Sequence, residues 1–190
     1  MNHLQMKLEN PIRIAELKPA ETLKIIGLQD NHLVCDIGAG SGIFTIPAAQ
    51  LTREKVYAVD INDEMLSIIS QKAVTEGIYN IELVKVKDNH FEIMDHSIDI
   101  ALLVTVLHEI RKHDAFLAEI KRVLKDNGKI AVVEFHKRNT PMGPPIEHRM
   151  GKDEVIDWLK KIGFIVHKDF DLGDNFYCLL FQMEIVQLRQ

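Results

Sequence analysis

A short apolar segment, Val34–Ile37, runs directly into a glycine-rich turn that begins at Gly38, and no other feature constrains the fold as strongly. This order predicts a buried strand, a tight turn and then a helix. A second apolar segment at residues 55–59 leads into the carboxylate of Asp60, which stands 22 positions after Gly38. A strand, a glycine turn, a helix and a strand ending in an acid are typical of an adenosine-containing ligand site at the edge of a parallel sheet.

The glycine spacing distinguishes between possible ligands. Gly38, Gly40 and Gly42 form G-x-G-x-G, whereas the dinucleotide fingerprint has its third glycine one place later, where this chain has Ile43. Asp36, two residues before the first glycine, would repel a pyrophosphate and attract an ammonium group. S-adenosylmethionine carries an ammonium group and a sulfonium but no phosphate, so the spacing favours it over NAD.

The run from Asp36 to Gly42 resembles motif I of the class I S-adenosylmethionine-dependent methyltransferases, and the similarity extends from about residue 10 to about residue 183. Within that class the chain is most similar to the small type-11 enzymes related to the quinone-biosynthesis C-methyltransferases. The resemblance implies a Rossmann-like, doubly wound sheet of seven strands, mostly parallel with an antiparallel last strand. It also implies S-adenosylmethionine as methyl donor, S-adenosylhomocysteine as product and a small molecule as acceptor.

The alternation of apolar segments and amphipathic segments supports the same α/β fold class. Strands are predicted at residues 33–37, 55–59, 81–85, 98–104, 129–135, 164–169 and 176–183. Helices are predicted at residues 43–51, 63–77, 113–124 and 153–162, with one or two short helices over 11–29 that break near Pro19. Asn127-Gly128 predicts a turn before the fifth strand, and residues 173–175 predict a hairpin turn before the last one.

Length and composition place the chain in a broad class. With 190 residues it is expected to form a single domain over 1–190, with residues 1–30 as an N-terminal helical cap and 136–150 as a substrate lid loop. The net charge of −5 gives no electrostatic reason to expect nucleic-acid binding. No apolar run approaches a membrane span or a signal-peptide core, and both cysteines fall in predicted strands, so a reduced cytoplasmic protein is expected. The oligomeric state is left open.

The resemblance assigns ligand contacts to several of these residues. Asp36 would hold the methionine ammonium, the glycines would let the backbone approach the ligand, and Thr105 would lend backbone contacts to the amino-acid end. Asp60 would accept hydrogen bonds from both ribose hydroxyls, and Ile61 would pack on the adenine face. The alternatives are local: Asp36 could cap the following turn, and Asp60 could cap the next helix, although Asn62 already suits that position.

Asp88 and Asn89 follow the third predicted strand. The resemblance implies that the Asp88 carboxylate accepts from the adenine amino group and that the next backbone amide contacts the ring. The alternative is an aspartate in a solvated loop.

Three side chains are candidates for a role at the acceptor. His108 and Glu109 follow the fourth predicted strand, at the edge where ligands bind, and His108 could be a general base because its ordinary pKa lies near neutrality. The alternative is that His108 caps a local turn. Arg149, in the proline-containing loop 136–150, could hold an anionic acceptor, and the alternative is a solvated basic loop. No H-x-x-x-H spacing or other metal motif is present, so no metal is expected.

Two other functions fit the sequence less well than methyl transfer. An NAD-dependent oxidoreductase is opposed by the glycine spacing and by Asp36, and a non-catalytic nucleotide-binding module on the same fold is opposed by the intact acids and glycines. Arsenite methylation is disfavoured, because the two cysteines, Cys35 and Cys178, both lie in predicted strands. In-line methyl transfer mainly requires alignment, and a base is needed only for a protonated acceptor, so the acceptor atom stays open.

Overall fold

A computed structural model describes residues 3–87, 90–110 and 113–183 of the chain. Within these ranges seven strands form one sheet. They are β1 (Val34–Ile37), β2 (Val56–Asp60), β3 (Ile81–Lys85), β4 (Ile98–Val104), β5 (Leu124–Phe135), β6 (Phe164–Leu172) and β7 (Phe176–Met183). The helices are α1 (His3–Leu8), α2 (Pro11–Leu17), α3 (Pro19–Ile25), α4 (Thr45–Leu51), α5 (Asp63–Glu76), α6 (His113–Val123) and α7 (Lys152–Lys161). Two single 3₁₀ turns lie at Leu107–Glu109 and Ile146–His148.

The sheet has the strand order β3-β2-β1-β4-β5-β7-β6. Neighbouring strands from β3 to β5 are parallel, whereas β7 runs antiparallel to both β5 and β6. The predicted fold class, including the antiparallel last strand, is therefore confirmed. The strand order reverses between β1 and β4, and in open sheets of this kind a crevice forms at the carboxyl ends of the two strands at that point. The glycine turn after β1 and the segment after β4 both lie there.

Local sequence signals begin and end several helices. The Asn10 side chain accepts hydrogen bonds from the backbone of Ile12 and Arg13 at the start of α2. The Asn62 side chain accepts from the backbone N–H of Glu64, and Gly77, with φ of +66°, ends α5 as predicted. The two short helices α2 and α3 meet in the left-handed backbone of Lys18, so the predicted break near Pro19 is confirmed.

Two apolar clusters cover the two faces of the sheet, and β4 contributes to both. Ala101 and Leu103 belong to the cluster that α6 and α7 cover, while Ile100 and Leu102 belong to the one that α3 and α4 cover. A strand buried on both faces reads as a continuous apolar run, which is why β4 was predictable from its sequence. The two cysteine thiols are buried and form no disulfide.

Strand β5 differs most from its prediction. It begins at Leu124, which pairs with Ile98, but the next pair is Ile100 with Lys129, so residues 125–128 of β5 form a bulge opposite one residue of β4. Asn127-Gly128, predicted as a turn before the strand, therefore lie within the bounds of β5 but inside this bulge, and neither residue pairs with β4. In the part of the chain that the structure describes, every helix is too short or too polar to cross a membrane.

Candidate active site

The glycine turn after β1 is closely surrounded. Gly38 has φ of +69° and Gly40 has φ of +55°, a backbone region that side chains other than glycine rarely adopt. A Cβ atom at Gly38 would lie 2.4 Å from a methyl group of Val106, and one at Gly40 would lie 2.9 Å from Leu8 of α1. The turn is thus covered from one side by the segment after β4 and from another by α1.

Two carboxylates flank this turn. The Asp36 side chain, at the end of β1, is buried and accepts a 2.6 Å hydrogen bond from Thr45 Oγ1. Burial raises the pKa of Asp36 to about 6; the Thr45 hydroxyl opposes the shift and the nearby charge of Asp60 adds to it. The Asp60 carboxylate accepts from the backbone N–H of Gly40 and of Asn62, each at 2.8 Å. Since each carboxylate oxygen can accept a second bond, Asp60 keeps capacity for a ligand hydroxyl.

Arg13 of α2 lines a cavity beside the glycine turn, together with Asp36. No sequence motif predicted Arg13 at this position. The cavity is lined by Leu8, Arg13, Asp36, Gly38, Ala39, Gly40, Ser41, Ile43, Phe44 and Val104. Arg13 is 7% exposed, and its guanidinium lies over the rings of Phe135 and Phe176, 5.7 and 5.4 Å from their centres. Its Nε is buried and has no hydrogen-bond partner among the described residues. Burial lowers the pKa of Arg13 to about 10, partly offset by Glu134, so the side chain is a cation with an unused donor.

Thr105 links Arg13 to the end of β4. Its hydroxyl accepts a 2.9 Å hydrogen bond from Arg13 Nη2, and its backbone N–H donates to the carbonyl of Val133. Its φ of +54° is a strained conformation for a β-branched residue, and such strain often occurs at ligand sites. Thr105 therefore lies beside the cavity, as the sequence prediction requires, and its backbone contact with a ligand stays a prediction.

His108 and Glu134 form a pair at the same edge of the sheet. His108 Nδ1 lies 2.8 and 3.1 Å from the two carboxylate oxygens of Glu134, and the His108 backbone N–H lies 3.3 Å from one of them. The Glu134 side chain is 1% exposed. Because the His108 ring is held by a buried acid of β5, these contacts disfavour the alternative that His108 caps a local turn.

The adenine side of the site is described only in part. Ile61, which follows the end of β2, is 74% exposed, so its apolar side chain is accessible to a flat ring. The predicted residues Asp88 and Asn89 lie outside the described residues. Strand β3, which precedes them, ends at this same edge of the sheet.

Arg149 differs from its prediction. The residue is 6% exposed, and its guanidinium lies 5.6 Å from the centre of the Phe135 ring. All three of its nitrogens donate within loop 136–150, namely to the carbonyls of His136, Arg138, Met142 and Pro144 and to Thr140 Oγ1. The expectation that Arg149 faces the acceptor is not supported by these contacts, because its donors already satisfy the backbone of an irregular loop. Glu109, by contrast, has a side chain that is 76% exposed.

Comparison with known proteins decides the family. Residues 35–132, about half of the chain, match the family model described as a methyltransferase domain. The chain belongs to this methyltransferase family. It is 32% identical over 158 residues to a ubiquinone/menaquinone biosynthesis C-methyltransferase from Shewanella sp. (strain ANA-3), a match that covers 79% of this chain. The chain spans 59% of the length of that relative.

Solved structures support the same family assignment. A SAM dependent methyltransferase from Aquifex aeolicus superposes with a TM-score of 0.88 at 28% identity, covering 94% of this chain and 96% of that one. A protein from Sulfolobus solfataricus assigned to the type 11 methyltransferases superposes with a TM-score of 0.72 at 26% identity, covering 88% and 92%. The predicted membership of the class I S-adenosylmethionine-dependent methyltransferases, type-11 subgroup, is confirmed, and with it the predicted methyl donor.

Two residues of the candidate site, Arg13 and Glu134, were not predicted from the sequence. Arg13 lies on a short helix without a motif, and Glu134 lies inside a strand whose other residues are mostly apolar. For Glu134 a signal did exist, since a charge within an otherwise buried strand is unusual. Among residues 3–87, 90–110 and 113–183, no group of three or more His, Cys, Asp or Glu side chains is placed to hold a metal ion.

Proposed function

We propose that this protein transfers a methyl group from S-adenosylmethionine to a small-molecule acceptor, and that Asp36 and Arg13 bind opposite charges of the methionine end. Both side chains line the cavity behind the glycine turn, one as a buried acid and one as a buried cation. An amino-acid zwitterion has an ammonium and a carboxylate on one carbon, so it complements such a pair. This opposed pair is the observation that carries the proposal, and the partnerless Arg13 Nε marks where a carboxylate oxygen would bind.

The adenosine end would extend along the carboxyl ends of β2 and β3. Asp60 would accept from the ribose hydroxyls, Ile61 would cover one face of the adenine, and Asp88 and Asn89 would bind its edge. Glycines at 38, 40 and 42 would keep the turn open to the ligand, since a side chain at Gly38 or Gly40 would fill space already occupied by neighbours.

The acceptor would lie beyond the methionine end, against the segments that follow β4 and β5. We infer a small aromatic acceptor that bears a ring hydroxyl. Support comes from the aromatic and cationic groups gathered here, since the guanidinium groups of Arg13 and Arg149 lie 5.7 and 5.6 Å from the centre of the Phe135 ring. The Shewanella relative, a quinone-biosynthesis C-methyltransferase, supports the same class of acceptor. Loop 136–150 would cover this acceptor.

Calorimetric titration with S-adenosylhomocysteine and with NAD tests the ligand assignment. We expect S-adenosylhomocysteine to bind and NAD not to bind, because a pyrophosphate would face the Asp36 carboxylate. Incubation of metabolite extracts and ring-hydroxylated compounds with methyl-labelled S-adenosylmethionine, followed by mass spectrometry, tests the reaction. Binding of NAD alone would favour the oxidoreductase, and binding of S-adenosylhomocysteine with no labelled product would favour a binding module.

A further inference from the structure

Glu134 is a carboxylate in a place where an apolar side chain would be less costly. It lies near the end of β5, is 1% exposed, and has the buried residues Val133 and Phe135 on either side. Burying a carboxylate is unfavourable unless it is paired and hydrogen-bonded. Its contacts are with His108, to the ring at 2.8 and 3.1 Å and to the backbone N–H at 3.3 Å. The buried Glu134 therefore serves to orient the His108 ring.

The hydrogen bond to Glu134 selects one tautomer of the neutral His108 ring. Nδ1 faces the carboxylate and must carry the proton, so Nε2 is left with a lone pair. Nε2 lies 3.8 Å from a carboxylate oxygen of Glu109, whose side chain is exposed. An edge contact with Phe135, 6.3 Å between ring centres, fixes the plane of the imidazole further. The ring thus has its proton acceptor on the side of Glu109, opposite the nitrogen that Glu134 holds.

The chain also ties His108 to the donor side of the site. Val106, two residues earlier, packs directly over Gly38 of the glycine turn, and Leu107 is fully buried and anchors the 3₁₀ turn. His108 therefore follows immediately after the segment that covers the proposed methionine cavity. This is the edge of the sheet where the proposed function puts the acceptor.

The charges around the ring favour the uptake of a proton by His108. Burial lowers the pKa of His108, but the hydrogen bond and charge of Glu134, together with the charge of Glu109, outweigh burial and the nearby Lys7. The pKa is therefore raised above its ordinary value. A general base is most effective when its pKa lies near the working pH.

We propose that His108 Nε2 removes a proton from the acceptor and that Glu134 is the positioning residue that holds His108 for this step. The proposal rests on the proposed function. The bond from the acceptor atom to hydrogen breaks and its proton goes to Nε2, and the electron pair left on that atom forms the bond to the methyl carbon. The carbon–sulfur bond breaks with its pair on sulfur, which becomes the neutral thioether of S-adenosylhomocysteine, and the imidazolium returns its proton to water. The acceptor is thereby assigned to compounds that must lose a proton, such as phenols.

The first test needs no acceptor. Nitrogen-15 NMR of the histidine rings in the wild-type protein, followed over pH, reports the tautomer and the pKa of His108. We expect Nδ1 protonated and Nε2 unprotonated in the neutral ring, and a lower pKa in Glu134→Gln because the negative charge is lost. Glu21→Gln makes the same chemical change on an exposed residue of α3 and should leave His108 unaltered. A wild-type ring protonated at Nε2, or an unchanged pKa in Glu134→Gln, would overturn the role of Glu134.

The second test compares two acceptors that differ in their need for a base. Catechol is un-ionised at neutral pH, whereas the nitro group of 4-nitrocatechol makes its hydroxyl ionise near neutrality. We expect His108→Asn to lower kcat/KM for catechol by about 10²- to 10⁴-fold, and for 4-nitrocatechol by less than about tenfold. In Glu134→Gln the acid limb of the kcat/KM profile for catechol should move to lower pH. Glu134→Asp keeps the charge on a shorter side chain, so it should return the acid limb part of the way to its wild-type pH. This variant replaces Glu134→Gln if the latter does not fold.

Each outcome separates this inference from the proposed function. Equal losses for both catechols would show that His108 acts in binding or folding and would overturn its role as base. If neither catechol is methylated, the variants are assayed on the product-forming acceptor from the extracts, and an acceptor without an exchangeable proton overturns the inference. Calorimetric affinity for S-adenosylhomocysteine should be unchanged in His108→Asn. Failure of the wild-type protein to bind S-adenosylhomocysteine, with no labelled product, would instead overturn the proposed function.

Discussion

Arg13→Met is the most direct perturbation of the proposed methionine subsite. Methionine retains an unbranched apolar chain against Phe135 and Phe176 but removes the charge and every donor of the guanidinium. If Arg13 binds the carboxylate of the ligand, this variant should lose affinity for S-adenosylhomocysteine while keeping the adenosine contacts.

The size of the effect follows from the contacts of Arg13. One donor is already used by Thr105 at 2.9 Å, while Nε is buried without a partner among the described residues and can donate to a ligand carboxylate. A hydrogen bond to a charged group contributes about 1.5–3 kcal/mol. This corresponds to an increase of about 10- to 100-fold in the Kd for S-adenosylhomocysteine.

The assay compares two ligands by calorimetric titration. S-adenosylhomocysteine has the amino-acid end, and 5′-methylthioadenosine lacks it but shares the adenosine part. Wild-type protein and Arg13→Met should differ about 10- to 100-fold for the first ligand and less than about twofold for the second. Arg53→Ala is the control, because Arg53 is an exposed arginine shortly before the amino end of β2, at the opposite edge of the sheet.

Two results would refute the reasoning. Equal losses for both ligands would mean that Arg13→Met disturbs the whole site through Thr105 and the aromatic rings. Unchanged affinity for S-adenosylhomocysteine in a folded variant would remove Arg13 from the methionine subsite.

Three further expectations concern the acids and the loop. Asp60→Asn should weaken S-adenosylhomocysteine binding by about 10- to 100-fold in calorimetry, and unchanged affinity would exclude Asp60 from the ribose contact. Because the pKa of Asp36 is raised to about 6, above its ordinary unfolded value of about 3.9, ionised Asp36 costs stability above pH 6 and that cost disappears as the pH falls toward 4. The affinity of the site for the ligand ammonium should instead decrease as the pH falls below about 6, because Asp36 loses its charge. Asp36→Asn should bind S-adenosylhomocysteine weakly, with an affinity that does not change over this pH range. Arg149→Ala should reduce the free energy of unfolding in urea by about 2–4 kcal/mol, against less than about 0.5 kcal/mol for the exposed Arg138→Ala. Full stability of Arg149→Ala with lost turnover would restore its predicted role at the acceptor.

Much of the fold could be predicted because its signals are local. Apolar runs, alternate glycines, Asn62 and Gly77 act within a few residues of one another, so they indicate strands, the glycine turn and the ends of α5 from the sequence alone. The family and its methyl donor followed from the same short segment, because the acid and the glycine spacing of the turn restrict which ligand charge can approach it.

Tertiary structure decided the features that join distant parts of the chain. Arg13 meets Thr105 across 92 positions, and Glu134 meets His108 across 26, so neither partner follows from spacing. Asn127-Gly128 lie in a bulge within β5, because Leu124 pairs with Ile98 before them and Lys129 pairs with Ile100 after them. Arg149 became the centre of its loop, because the carbonyl groups of an irregular backbone need donors and the guanidinium supplies several at once. Local patterns set which elements form, whereas burial and hydrogen bonding between elements determine which polar groups meet at the site.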